Sequence, residues 1–165
     1  MKLFLRLILL SSLVVSCGIY SFTGASIPIE AKTISVQYIS NKAAIVQPSL
    51  SQVITDGLID AFASQTNLEI TENEGDLSFS GYITKYQIKP MAIKANETAS
   101  QNRLTIAIKI KYNNSFEDKQ NFETSFSRYR DYESSENIVD VEDELIEEIS
   151  KELIEDVFNK AFVNW

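Results

Sequence analysis

Residues 103–112 read Arg103-Leu-Thr-Ile-Ala-Ile-Lys-Ile-Lys-Tyr112, and their alternation decides the fold. Leu104, Ile106, Ile108, Ile110 and Tyr112 fall at every second position, with Arg103, Thr105, Lys109 and Lys111 between them. Successive side chains of a strand point to opposite faces, so this is a strand with one buried and one polar face. One-sided strands belong to antiparallel sheets that stay open on the other side. C-terminal to this strand, Asn113-Asn114-Ser115 opens a hairpin loop, and a return strand covers residues 121–129 with Phe122 and Phe126 inward. N-terminal to it, Leu77, Phe79, Gly81 and Ile83 alternate before the apolar phase switches to Tyr86 and Ile88. A phase switch inside a strand predicts a bulge near Thr84 and Lys85. Pro90 is expected to end that strand, leaving residues 91–102 as a polar loop. The three strands form a meander whose open face carries Ser78, Ser80, Tyr82 and Thr84 beside Arg103, Thr105, Lys109 and Lys111.

Residues 33–39 alternate as well and read as a strand with Ile34, Val36 and Tyr38 on one face. Ser49 is the expected N-cap of a helix. Leu50, Val53, Ile54, Gly57, Leu58, Ala61 and Phe62 form its single apolar stripe. Gly57 costs that helix ~1 kcal/mol relative to alanine, which implies close approach of a neighbouring element. Residues 67–71 are a short possible strand, and residues 73–76 a turn. After Ser134-Ser135, a last helix places Ile138, Val141, Leu145, Ile146, Ile149, Leu153, Val157, Phe158 and Phe162 at helical spacing. Asp140, Glu142, Asp143, Glu144, Glu147 and Glu148 are expected on its solvated outer face. Lys151 is placed to answer Glu147, and Lys160 to answer Asp156. The predicted fold is α/β (α+β): a two-layer sandwich of a mixed four- to five-stranded sheet with two helices packed on one face, in the order β-α-β-β-β-β-α.

The chain opens Met1-Lys-Leu-Phe-Leu-Arg-Leu-Ile-Leu-Leu-Ser-Ser-Leu-Val-Val-Ser-Cys17. A basic start at Lys2 and Arg6, an apolar run from Leu7 to Val15 and the small Ser16 make a secretory signal peptide over residues 1–16. The run is shorter than the ~20 apolar residues a membrane span needs. Val14-Val15-Ser16-Cys17 has the form of a bacterial lipobox, in which cleavage precedes the cysteine and its thiol receives a diacylglycerol. Residues 17–32 then read as a lipidated tether and residues 33–165 as a single domain. Within the tether, Tyr20 and Phe22 fit two readings, packing back on the domain or sitting at the membrane interface.

Charge and composition exclude several functions. The chain holds 15 basic and 23 acidic residues, and loss of Lys2 and Arg6 with the leader takes its net charge from −8 to −10. That opposes nucleic acid as a partner and adsorption to anionic headgroups by charge alone. Membrane contact is expected through acylated Cys17. Histidine is absent, which removes Ser–His and Cys–His nucleophile pairs and the commonest zinc ligand. The helical carboxylates have no Asp-x-Asp-x-Asp-Gly calcium pattern, so neither metal nor cofactor is expected. Glycoside hydrolysis needs two converging carboxyls, whereas these crowd one helix face. A Ser–Lys pair drawn from Ser80 or Ser100 with Lys85 or Lys94 has nothing to place it in a pocket. The chain is therefore read as non-enzymatic.

Several stretches, taken in order, resemble one family. They are Cys17-Gly-Ile-Tyr-Ser-Phe, Ile34-Ser-Val-Gln-Tyr-Ile, Pro48-Ser-Leu-Ser-Gln, Phe62-Ala-Ser-Gln-Thr-Asn-Leu and Asp76-Leu-Ser-Phe-Ser-Gly-Tyr-Ile-Thr-Lys-Tyr. Asn102-Arg-Leu-Thr-Ile, Phe122-Glu-Thr-Ser-Phe-Ser-Arg-Tyr, Val141-Glu-Asp-Glu-Leu-Ile-Glu-Glu-Ile and Asn159-Lys-Ala-Phe-Val-Asn-Trp continue the series. Their order and spacing resemble the lipopolysaccharide-assembly lipoproteins of the LptE family, in the form found in Bacteroidetes. The resemblance implies a lipoprotein anchored on the periplasmic side of the outer membrane. It implies that the chain plugs the LptD-type β-barrel, assists its assembly and contacts lipopolysaccharide. Gly18 after the cysteine is not an acidic retention residue, in keeping with the inner leaflet of that membrane. Lipopolysaccharide is anionic and the chain is acidic, so contact requires a local basic patch. Lys85, Lys89, Lys94 and Arg103 flank the loop at residues 91–102 and are the candidate contacts. The residues alone serve equally a lipid-anchored scaffold or binding module of another envelope complex, and the resemblance favours the export subunit.

Overall fold

The structure, a computed structural model, describes residues 27–91 and 101–163. Cys17, Lys94 and Trp165 lie outside the described residues. The elements are β1 (Thr33–Val36), β2 (Ser40–Asn41), α1 (Leu50–Gln65), β3 (Glu69–Ile70), β4 (Leu77–Met91), β5 (Gln101–Asn114), β6 (Phe122–Glu133) and α2 (Ile138–Phe162). One mixed sheet runs β3-β1-β4-β5-β6, with β2 added beside β4. The β4–β5–β6 meander is antiparallel, whereas β1 lies parallel to both β3 and β4. This is the expected two-layer fold, with β2 as an additional short strand.

Alternation in β5 becomes a layer of buried side chains. Leu104, Ile106, Ile108 and Ile110 are fully buried and Tyr112 nearly so. Register carries the same face across the sheet, setting Phe79 opposite Tyr112 and Ile83 opposite Ile108 on β4, and Phe122 opposite Tyr112 on β6. Both helices join these residues in one core. Phe62 of α1 stands 4.5 Å from Phe79, and Phe162 of α2 stands 5.7 Å from Phe62, ring centre to ring centre. Each such side chain contributes ~1.5–3 kcal/mol through burial. The predicted bulge is present as a register shift between Ile83 and Lys85, where the Thr84 hydroxyl donates to the Ala107 carbonyl at 3.1 Å. Ile154 of α2 fills the place where a side chain on Gly57 would begin, so the glycine in the α1 stripe has the expected close neighbour.

Four local expectations are corrected. The first strand ends at Val36, and Tyr38 is exposed while Ile39 is buried. From Val36 to Ser40 the chain advances four residues against three on β4, from Phe79 to Tyr82; that extra residue breaks the alternation. The Thr55 hydroxyl then receives the Ile39 N–H at 3.1 Å. Ser49 does not cap α1 with its side chain, because its backbone is already helical (φ −77, ψ −22). The Gln47 carboxamide oxygen does so, accepting from Ser49 N at 2.6 Å and Leu50 N at 3.2 Å. Pro90 does not end β4, which continues to Met91. β2, its neighbour on that side, pairs no further than Ile83, so Pro90 occupies an edge position where a missing N–H is tolerated. The return strand is longer than expected, reaching Glu133, and Met91, Gln101 and Asn102 of the expected polar loop belong to β4 and β5.

The acidic helix is also more than a solvated face. Arg128 and Arg130 point from β6 toward α2. Arg130 meets Glu148 at 2.7 Å and Glu152 at 2.5 Å, and Arg128 meets Asp156 at 2.5 Å. Asp156 is thus paired across to the sheet rather than along the helix to Lys160.

Candidate functional site: the open face of the sheet

The sheet face away from the helices is built by the residues that alternate with the core. Register sets Lys89 opposite Arg103, Lys85 opposite Ala107, Tyr82 opposite Lys109 and Ser80 opposite Lys111. From β6 it sets Asp131 opposite Arg103, Ser125 opposite Lys109 and Glu123 opposite Lys111. The bulge matters here. By inserting one residue it turns Lys85, Gln87 and Lys89 onto the face that Ser78, Ser80 and Tyr82 occupy lower down. Without it these lysines would point into the core.

Three of the four candidate contacts are thereby gathered on one surface, while Lys94 lies outside the described residues. Their states differ. Lys85 and Lys89 are exposed, and among the described residues no carboxylate reaches either within ion-pair distance. Arg103 is engaged: its Nε and Nη2 donate to the two Asp131 oxygens at 2.7 and 2.8 Å, and its guanidinium lies 3.7 Å from the centre of the Tyr129 ring. This bidentate pair raises the Arg103 pKa and holds the Asp131 carboxyl below its usual range. Lower on the same face, Lys109 meets Glu123 at 2.5 Å, which raises the lysine and lowers the glutamate. Lys42 lies 4.4 Å from the centre of the Tyr82 ring. Lys111 is exposed at the same level.

Sequence reasoning missed Asp131 and Tyr129, which hold Arg103 from the far strand. The signal was available in the odd-numbered alternation of residues 123–133, but the register that sets Asp131 opposite Arg103 depends on the hairpin. The arrangement is a flat, mixed-charge surface on which two lysines and Lys111 remain available to anions. Each described carboxyl whose titration is displaced moves downward, held by a cation or, for Asp76, by backbone N–H groups and a hydroxyl. Among the described residues no group of three His, Cys, Asp or Glu side chains is placed to hold a metal ion. No described helix is long and apolar enough to cross a membrane.

Comparison with solved structures gives the fold independent support. A minor lipoprotein from Acinetobacter baumannii superposes with a TM-score of 0.52 at 10% identity, covering 79% of this chain and 91% of that one. Rare lipoprotein B from Shewanella oneidensis gives 0.50 at 9% identity, covering 78% and 90%. PelC from Paraburkholderia phytofirmans, solved as a dodecamer, gives 0.51 at 10% identity, covering 84% and 94%. At these identities the likeness is one of fold. No curated protein matches the chain in sequence. The family model LptE, described as lipopolysaccharide-assembly, matches residues 31–161, from the last residues before β1 to the end of α2. With most of its length covered by that match, the chain belongs to the LptE family of lipopolysaccharide-assembly proteins.

Proposed function

We propose that this protein is the lipid-anchored subunit of a lipopolysaccharide export translocon. In this reading residues 1–16 are a cleaved leader, Cys17 carries the acyl anchor on the periplasmic side of the outer membrane, and residues 33–165 form the working domain. The domain seats in an LptD-type β-barrel and presents its open sheet face to lipopolysaccharide during export. Its role is to bind and position rather than to catalyse. Family membership supports the assembly role.

The observation that carries the contact reading is the position of Lys85 and Lys89. On a chain of net charge −8 they stand exposed on the same open face, along one strand with Gln87 between them, without a carboxylate partner among the described residues. Phosphate groups of a glycolipid are attracted to such unpaired cations. Arg103 is the weaker contact, because Asp131 already neutralises it. A polar face without a large apolar patch also suits the hydrophilic lumen of a barrel.

The test has two parts. A mild-detergent pull-down of the full-length lipoprotein from outer membranes is expected to bring down a stoichiometric large β-barrel. Recovery of a different envelope complex would instead make the domain a scaffold elsewhere. Lipopolysaccharide binding is then compared for the wild type and a Lys85→Glu/Lys89→Glu double variant. The variant is expected to bind more weakly at unchanged thermal stability. Equal binding would remove the open face from the export reading.

A further inference from the structure

A groove runs between the two helices on their outer side, away from the sheet. Val53, Gly57, Ala61 and Gln65 follow one another at every fourth position along α1, and Ser150 and Ile154 of α2 face them. Its volume is about 370 Å³. Gly57 and Ala61 keep the α1 wall low, and Ile154 fills the place where a Gly57 side chain would begin. The rims are acidic. Asp56 and Asp60, each one position before a groove residue, stand exposed on α1, which has no lysine or arginine. Glu147 and Glu155 line the α2 rim, and Lys151 is the one cation among the lining residues. Among the described residues none of these four carboxylates forms an ion pair, whereas Glu148, Glu152 and Asp156 of the same helix are taken by Arg128 and Arg130. Ser150 adds an independent sign of an occupant. It lines the groove and is only 2% exposed, yet its hydroxyl has no hydrogen-bond partner. A buried hydroxyl left unpaired is costly.

We propose that this groove seats a basic amphipathic helix of a partner protein, with an apolar ridge lying along Gly57 and Ala61 and lysines or arginines on either side of that ridge answering the two acidic rims. Charge selects this occupant. Like charges set against each other across an interface are costly. A second copy of this chain would bring the same acidic rims to the contact, and a phosphorylated glycolipid would bring anions, so both are repelled. An acyl chain would cover the groove without answering the carboxylates or the Ser150 hydroxyl. A basic side chain supplies both needs, because its N–H groups pair with carboxylates and donate to a hydroxyl oxygen. Shape selects a helix. Helices pack by laying a ridge of residues four apart into the groove of a neighbour, and small residues let the two approach closely. From Val53 to Gln65 the groove runs about 18 Å, or about three turns of such a helix. Helix-in-groove recognition uses this geometry.

The two sides of the domain then take ligands of opposite charge. The unpaired lysines stand on the open face of the sheet, and the unpaired carboxylates stand on the helical layer behind it. The arginines of β6 sharpen that division by neutralising only the carboxylates nearest the sheet. The proposal is independent of what the open face binds.

Site-specific photo-cross-linking of the full-length chain in intact cells tests it. A photoreactive side chain replaces exposed Gln65 in one variant and exposed Lys151 in another, and the linked segments are mapped by mass spectrometry. The expected product is a link to a segment of another protein in which lysines or arginines flank apolar residues at helical spacing. Adding Glu147→Lys/Glu155→Lys is expected to lower the yield about tenfold with Tm unchanged. Ser150→Ala, which removes the hydroxyl and no charge, is expected to raise the Tm of the isolated protein and to lower the yield severalfold. Links mainly to a second copy, to lipid or to a segment without basic residues would overturn the proposal. So would an unchanged yield in either substituted protein, or no link from either position.

Discussion

Thr33 and Asp76 hold each other reciprocally. The Asp76 carboxylate accepts from Thr33 N at 3.0 Å and from its hydroxyl at 2.9 Å, while Asp76 N donates to that same hydroxyl at 2.9 Å. The same carboxylate oxygen receives Lys32 N at 2.9 Å. These bonds fasten the start of β1 to the start of β4, where a parallel pair has no hairpin to hold it. The backbone donor Lys32 and the Thr33 donors lower the Asp76 pKa below its ordinary 3.8. Because the folded value lies below the unfolded one, the contribution is complete above the unfolded value and fades as pH falls through the folded one. Thermal unfolding from pH 7 down to pH 2 should therefore show an acid limb that is shallower in D76N. Identical limbs would show that the clamp does not couple to folding.

Gly81 should not tolerate a side chain. A Cβ there would overlap the Lys109 carbonyl oxygen on β5, a backbone atom that cannot rotate aside. Gly81→Ala is expected to lower stability by ~1–3 kcal/mol in urea unfolding, with the denaturant slope unchanged. A neutral result would mean that β4 and β5 separate locally without cost.

The arginines of β6 should make stability salt-dependent. Arg128 and Arg130 join the edge strand to three carboxylates of α2 in one network. The groups are partly exposed, so each pair is weak alone and screened by salt. An Arg128→Ala/Arg130→Ala variant is expected to lose a few degrees of Tm in dilute buffer, with the gap to the wild type closing in concentrated salt. A gap that persists would assign the loss to packing of the arginine stems instead.

Asp131 should restrain the open face. Replacing it with asparagine releases the Arg103 charge from its bidentate partner and leaves Tyr129 beneath it. If the face meets an anionic glycolipid, D131N is expected to bind lipopolysaccharide severalfold more tightly. Unchanged or weaker binding would separate Arg103 from the ligand.

The sequence by itself determined the elements whose evidence is periodic. Alternation in residues 103–112 and 77–88 gave the meander and its bulge, and the 3.6-residue stripes gave both helices, the first to within three residues of its C-terminal end. Those signals survive without tertiary information because burial of one face dictates the spacing of apolar residues. The family could also be read, because its motifs recur in order along the chain. Elements that depend on partners distant in sequence could not be read this way. The end of β1 at Val36 and the short β2 follow from pairing with β4, and Gln47 caps α1 because Ser49 had already become helical. The helix charges drew arginines from a strand ten and more residues upstream, and Asp131 reached Arg103 across a hairpin. A side chain's charge is written in the sequence, but whether that charge is free is decided by what register sets beside it. That is why Lys85 and Lys89, rather than Arg103, are left open on the finished face.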